Sequence, residues 1–232
     1  MPSRIWSILT GISRKPICDF WSRKGCPLLK LYYAPGTIAA AVAITLNEAQ
    51  VDYDHVRLNF SDAQQRSDDY LAINPKGRVP ALETPRGILT ETSAILEFIA
   101  ATHPNAKLVP DDPFDAARMR SAMTYLASTM HVNHAHGMRG HRWADEEASW
   151  QDMKRKLPQT MSESATYVED HILDGPFVLG EVFSLADPYL FVVSTWLPGD
   201  GVDMGQYTKL NAFHRSMWDR PSVRMALSDG II

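Results

Sequence analysis

Glu91 and Thr92 stand where a short strand gives way to a helix, and their side-chain types suit one kind of ligand. A helix start offers unpaired N–H groups and the positive end of the helix dipole, which favour a carboxylate. An acid beside that start favours an ammonium. A molecule carrying both groups together has an amino-acid head. The same pair also reads as an ordinary capped helix after a hairpin, since hydroxyl residues are common caps. Upstream, Asn74-Pro75-Lys76-Gly77-Arg78-Val79-Pro80-Ala81-Leu82 reads as a turn and then a strand entered through Val79-Pro80. An X–Pro bond needs only about 0.5–1 kcal/mol to become cis.

A second group of reactive types lies further on: His131, His134, His136 and His141. At helical spacing, positions 124, 127, 131 and 134 share a face, which places Thr124, Ala127, His131 and His134 together. A metal is not expected there. His136 falls off that face, and no cysteine or nearby acid joins the set. His134 and His136 read equally as ordinary polar residues. Arg139, Arg142 and Trp143 follow, either as a surface loop or as groups meeting an acidic or aromatic substrate.

The elements that must hold these residues follow from the pattern. Residues 30–33 form a strand, Pro35-Gly36 a turn, and Thr37 can cap a buried helix over 37–50. Residues 53–58 alternate as a second strand, and 61–73 form a short polar helix. Strands at 79–83 and 88–90 flank a Pro85-Arg86-Gly87 hairpin, and a helix covers 92–102. The order is βαβ then ββα, with the first pair parallel by crossover. Residues 103–113 hold three prolines and read as a linker. Beyond it only helices are expected: 114–136 with a stripe at Met119, Met123, Leu126 and Met130, then 147–173, an all-apolar 184–197, 207–218 and 221–227. Ser184-Leu185-Ala186-Asp187 has capping-box spacing, with Asp in place of the usual Glu or Gln.

The opening Leu31-Tyr32-Tyr33-Ala34-Pro35-Gly36, the Asn74–Leu82 segment, Glu91-Thr92-Ser93-Ala94-Ile95 and Phe183-Ser184-Leu185-Ala186-Asp187 together resemble the glutathione S-transferase family, closest to its bacterial beta-like group. The resemblance covers about residues 30–227. It implies an α/β thioredoxin-like N-terminal domain over 30–103, a linker over 104–112, and an all-α C-terminal helical bundle over 113–232. It also implies a homodimer, a cytosolic role in detoxification, and a cleft between the domains for glutathione and an electrophile. Glutathione is then a co-substrate. Its γ-glutamyl head would meet Glu91 and Thr92, and its cysteinyl part the backbone of Val79 before a cis Pro80.

The family lowers the thiol pKa with donors at the start of the first helix. Bringing a free thiol down by about two pKa units means about 2.7 kcal/mol of preference for the thiolate. Beta-class members carry a cysteine two residues after Pro-Gly, but this chain has Ile38. Thr37 and Tyr33 are the remaining donors nearby, and by resemblance His131 faces the thiol from the helical domain. As alternatives, Thr37 is only a cap and Tyr33 a core aromatic. The capping motif at Ser184–Asp187 serves folding in the family and no chemistry.

The 232 residues are 45% hydrophobic and 22% charged, ordinary values for a globular protein. The longest apolar run, 38–46, is too short to cross a bilayer, and a formal charge of −4 gives no case for nucleic acid. Charge is uneven: Arg4, Arg14, Lys15, Arg23 and Lys24 against Asp19 give residues 1–28 a net +4, leaving −8 for the rest. Cys18 and Cys26 both lie in that extension, so disulfides do not staple the remaining chain. Residues 1–29 read as an extension outside the fold: sequence upstream of a start near Leu29, a transit peptide, or a functional arm.

The expected activity is glutathione conjugation to a small, hydrophobic electrophile. A binding protein of the same fold without turnover is the alternative, favoured by Ile38. A glutathione-dependent reductase or peroxidase is disfavoured because residues 29–232 hold no cysteine.

Overall fold

A computed structural model describes residues 29–232. Residues 1–28 of the extension, with both cysteines, lie outside them, but Leu29 belongs to the fold: it is buried in the core and its carbonyl accepts from the Asp54 N–H at 2.9 Å.

The central strand β1 (Lys30–Tyr33) buries three of its four residues. Parallel to it runs β2 (Asp54–Arg57), with antiparallel β3 (Ala81–Thr84) on the other side and β4 (Gly87–Thr90) beyond, giving the order β2-β1-β3-β4. This is the thioredoxin-like order expected from βαβ followed by ββα. All four β2 residues are exposed at the sheet edge, so its alternating pattern marks no buried face.

Between β1 and β2 runs α1 (Ala39–Glu48), buried from Ala39 to Leu46. Four alanines on it permit close approach, while Ile44 and Leu46 are fully buried, each contributing about 1.5–3 kcal/mol of hydrophobic stabilisation. The expected 61–73 helix divides into a 3-10 turn, Gln64–Arg66, and α2 (Asp68–Ile73). Ser67 causes the division: it is extended, and its side chain caps α2 at the Tyr70 N–H. Helix α3 (Thr92–Thr102) follows β4.

After residue 112 the chain is helical, save two isolated bridges in a turn at 177–182. Asp112 caps α4 (Pro113–Tyr125) by accepting from the Phe114 and Asp115 N–H groups. The long helix expected over 114–136 continues through a π-helical turn, Leu126–Met130, into α5 (His131–Arg139). The stripe Met119, Met123, Leu126 and Met130 is buried. Helix α6 (Glu147–Tyr167) contains Pro158 and ends in a second π turn, Val168–Ile172.

Every residue of α7 (Ala186–Trp196) from Ala186 to Ser194 is buried. Its start is held by Asp187, which accepts from the Val178 N–H at 2.8 Å and the Ser184 N–H at 2.7 Å. The capping-box reading holds in its acid half: Asp187 reaches back to Ser184 as a box Glu would. Burial is the larger effect on its carboxyl, raising the pKa to about 6 against the pull of these donors.

Helices α8 (Thr208–Trp218) and α9 (Pro221–Ser228) close the bundle and return to the sheet side. Arg220 meets Glu48 through two bonds of 2.8 and 2.9 Å and lies 3.8 Å over the Phe183 ring centroid. Asn47 donates to the Ser222 carbonyl at 2.9 Å, and the Gly36 N–H donates to the Ile231 carbonyl at 3.2 Å. The end of the chain thereby fixes α1 and the turn before it, which form one wall of the cleft described next.

Candidate functional site

A cleft of about 660 Å³ lies between the sheet-bearing part and the helical part. One wall is the turn from Pro35 to Ile38, the 74–80 loop and the segment from Thr90 to Ser93. The other is the face of α5 with Tyr189 and Trp196 of α7.

At the first wall, Glu91 precedes α3 with φ 69° and ψ 115°. For a residue with a Cβ such a backbone costs about 1–3 kcal/mol and persists where the surroundings hold it. Its effect is to present the carboxylate at the mouth of the cleft. The Lys76 ammonium pairs with that carboxylate and reaches the Thr90 hydroxyl oxygen at 2.8 Å. Both partners are well exposed, at 44% and 71% of the side chain, so the pair is worth no more than about 1 kcal/mol and yields readily to a ligand ammonium. No side chain caps α3, so its first N–H groups face the cleft beside buried Thr92.

Val79-Pro80 is cis, as the family resemblance implies. Among the described residues the Val79 N–H and C=O have no hydrogen-bond partner, although Val79 stands two residues before β3 and lines the cleft. They are placed to pair with an extended ligand as a strand would. The preceding turn is anchored from behind, since the Arg78 carbonyl accepts from the Tyr70 hydroxyl and the Asn74 amide, each at 2.7 Å.

Two expectations about α1 are corrected. The helix begins at Ala39, with Ile38 at the cap position and no side-chain cap. The Thr37 hydroxyl instead donates to the Ala34 carbonyl at 2.7 Å, across the turn that precedes the helix. Thr37 and Ile38 both line the cleft. Tyr33 does not. It is 3% exposed, and its hydroxyl donates to the Asp229 carbonyl at 3.4 Å, because strand alternation turns it towards the C-terminal segment.

From the opposite wall, His131 packs edge-on to Trp196 with ring centroids 4.9 Å apart. Burial, followed by nearby Arg139, lowers its pKa to about 4. The imidazole is therefore neutral at pH 7. His134 stacks on the same indole at 4.3 Å and meets the Asp200 carboxylate at 2.8 Å, which gives it a partner within the fold. Trp196 in turn donates its Nε1–H to the Gly36 carbonyl at 2.9 Å, joining the two walls. Thr124, placed on this face by regular helical spacing, does not line the cleft, and a π-helical turn at Leu126–Met130 lies between it and the histidines. No cluster of three or more metal-ligating side chains occurs among the described residues.

Sequence reasoning gave no role to Lys76, Arg66, Arg78, Tyr189 or Trp196, all of which line the cleft. Lys76 and Arg78 lay inside a motif already singled out. Trp196 carried no signal beyond an apolar helix. Arg139, Arg142 and Trp143, for which two readings stood open, border the cleft.

Residues 27–101 match the family pattern for the glutathione S-transferase N-terminal domain. The chain is 30% identical over 203 residues to the glutathione S-transferase GstA of Escherichia coli O157:H7, covering 86% of this chain and 98% of that one. It belongs to the glutathione S-transferase family. A solved glutathione transferase homologue from Sulfitobacter, with bound glutathione, is 56% identical, with a TM-score of 0.88 over 89% of this chain and all of that one. A beta-class glutathione S-transferase from Sphingomonas chungbukensis is 32% identical, with a TM-score of 0.75 over 87% of this chain and 98% of that one. The glutathione transferase described here thus has the family fold, and glutathione is its co-substrate. No described helix is long and apolar enough to cross a membrane.

Proposed function

We propose that this transferase seats the γ-glutamyl head of glutathione between Glu91 and the start of α3 at Thr92. The cysteinyl part would lie along the Val79 backbone before Pro80. The observation carrying this reading is the carboxylate of Glu91 held beside uncapped helix N–H groups, with unpartnered Val79 amide groups on the same wall. The sulfur would then lie near Thr37 and the open start of α1. Its proton leaves to solvent, the Thr37 hydroxyl rotates from Ala34 to the thiolate, and sulfur attacks the electrophilic carbon as the leaving group departs. Catalysis is positioning and stabilisation of the anion. His131, with its low pKa, acts as a neutral N–H donor across the cleft and not as the base. We assign Tyr33 no part in this step.

The two domains are 30–103 and 113–232, joined by 104–112, and the enzyme works as a cytosolic homodimer in detoxification. The reading is supported by strands confined to the first span and by the family's habit. Sedimentation at about twice the 26.0 kDa chain mass supports the dimer, and sedimentation at one chain mass refutes it.

Calorimetry with glutathione and a conjugation assay with 1-chloro-2,4-dinitrobenzene test the site. Binding with turnover is expected. Glu91→Gln should weaken glutathione by roughly 1.5–3 kcal/mol, the worth of a charge-assisted bond. Tight binding without turnover would favour the ligand-binding alternative, to which the apolar Ile38 side chain at the cleft lends its one supporting observation. Undiminished affinity in Glu91→Gln would remove Glu91 from the site.

A further inference from the structure

We infer that the electrophile taken by this cleft carries an anionic group, a carboxylate foremost, held by Arg139 and Arg142. The inference rests on the transferase reading of the same cleft and names its substrate class.

Four arginines line the cleft: Arg66 and Arg78 from the sheet-bearing part, Arg139 and Arg142 from the helical part. None of the four forms an ion pair among the described residues. Of the other arginines among the described residues, Arg118, Arg120, Arg155, Arg220 and Arg224 each meet a carboxylate, while Arg57, Arg86 and Arg215 do not but lie outside the cleft. The one acid on the lining, Glu91, is already paired with Lys76. The cleft guanidiniums also act on one another. Burial, then Arg78, lowers the Arg139 pKa, while burial, Arg78, Arg139 and Arg66 lower that of Arg142. Gathering like charges away from acids is costly in an empty site and is relieved by an anion.

Glutathione alone does not balance this charge. With Lys76, the lining holds five cations against one anion, a net +4. Glutathione as thiolate has two carboxylates, a thiolate and an ammonium, a net −2. Two positive charges remain, and the helical-part arginines stand on the wall across from the proposed glutathione contacts. A guanidinium offers a planar fork that matches a carboxylate with two parallel bonds. Met138 and Trp143 beside them suit an aryl or alkyl body. The expected apolar electrophile is thereby narrowed to one with an apolar body and an acidic end.

The sequence builds this corner deliberately in its backbone. At Gly140, a Cβ would come within 3.0 Å of the Trp150 Cβ and 3.1 Å of its Cα, so glycine lets the turn between Arg139 and Arg142 lie against α6. The Trp150 Nε1–H donates to the Ala144 carbonyl and holds the far side of that turn.

The test is calorimetry of the full chain with S-benzylglutathione conjugates bearing a methyl, carboxylate or aminomethyl substituent, each as the meta and para isomer. The better carboxylate isomer should bind at least about tenfold tighter than its methyl counterpart, the scale of one charge-assisted pair, and the aminomethyl conjugates more weakly. Arg139→Gln and Arg142→Gln should each shrink the carboxylate preference, and Arg139→Lys should retain part of it. Equal affinity of carboxylate and methyl conjugates in the unaltered protein overturns the inference. So does a preference untouched in both Gln variants, or an equal loss for all conjugates, which would assign the arginines to glutathione itself. If the unaltered protein does not bind glutathione, the transferase reading fails instead. Titration with 4-methylbenzoate alone then tests the arginines, and absent binding overturns their role.

Discussion

At the scale of single residues, the site is assembled from groups whose own partners are weak. The Thr37 hydroxyl is committed to a neutral carbonyl, a bond worth about 0.5–1.5 kcal/mol, whereas a bond to a charged group is worth about 1.5–3 kcal/mol. On the proposed reading a thiolate outcompetes Ala34 for it. Thr37→Val keeps the shape and removes the donor. The bound thiol's pKa should rise by roughly one unit, the difference between the two bonds, with the rate at neutral pH falling and recovering as pH increases. Because Thr37 caps no helix N–H, the melting temperature should fall only by the loss of the Ala34 bond. Ultraviolet titration of the bound thiolate measures the shift. An unmoved titration with normal turnover would pass the role to the backbone N–H groups of α1.

At the scale of elements, α5 and α7 hold two titratable groups, half-buried His131 and buried Asp187, that respond to acid in opposite senses. His131 has its folded pKa lowered to about 4 by burial foremost. The unfolded chain then binds a proton near pH 6.5 that the native state refuses, so stability from this group is lost as pH falls from about 6.5 to about 4. Asp187 has its pKa raised to about 6, again by burial foremost. Its contribution is present below the unfolded value near 3.9 and is lost as pH rises through about 6. Each effect is on the order of 3 kcal/mol, so the two largely offset between pH 4 and 6. His131→Asn removes one side of the balance. Relative to the unaltered protein, the variant should gain roughly 2–3 kcal/mol between pH 7 and pH 4, read from urea midpoints at constant slope. Parallel pH profiles for the two proteins would sink this account.

At the scale of the whole molecule, the C-terminal segment ties the helical part back to α1. Arg220 is the centre of that tie, with side-chain exposures of 26% for itself and 16% for Glu48. Truncating one partner of a pair this enclosed leaves the other charge short of its donors and usually costs about 3–5 kcal/mol when fully buried. Here, with some exposure and with the Ser222 hydroxyl still on Glu48, Arg220→Ala should cost about 2–3 kcal/mol. Because the same segment supports Gly36 through Ile231, glutathione affinity should fall as well. Urea unfolding together with calorimetry checks both. A loss of stability below about 0.5 kcal/mol, the level of an ordinary surface change, would show the tie to be incidental.

The sequence by itself determined the elements and brought together the residues of one cleft wall, where glutathione is proposed to sit. The succession of strands and helices follows from apolar runs and turn residues that act locally, and Glu91, Thr92, Val79 and Pro80 lie within 14 residues of one another on consecutive elements. The buried helix at 184–197 and the Met119–Met130 stripe were legible for the same reason: burial leaves a periodic trace in the chain. Tertiary structure decided what depends on distant neighbours. Tyr33 looked like a donor until the C-terminal Asp229 carbonyl, 196 residues away, took its hydroxyl. Thr37 looked like a cap until the turn offered Ala34 instead. Thr124, which helical spacing put with the histidines, does not line the cleft, and a π-helical turn at Leu126–Met130 interrupts the regular spacing between them. The four arginines stand at positions 66, 78, 139 and 142: the sequence left Arg139 and Arg142 open between a surface loop and a substrate contact, and gave Arg66 and Arg78 no role. Only packing one part against the other collects them around one cleft, and electrostatic energy depends on distance through space, not along the chain.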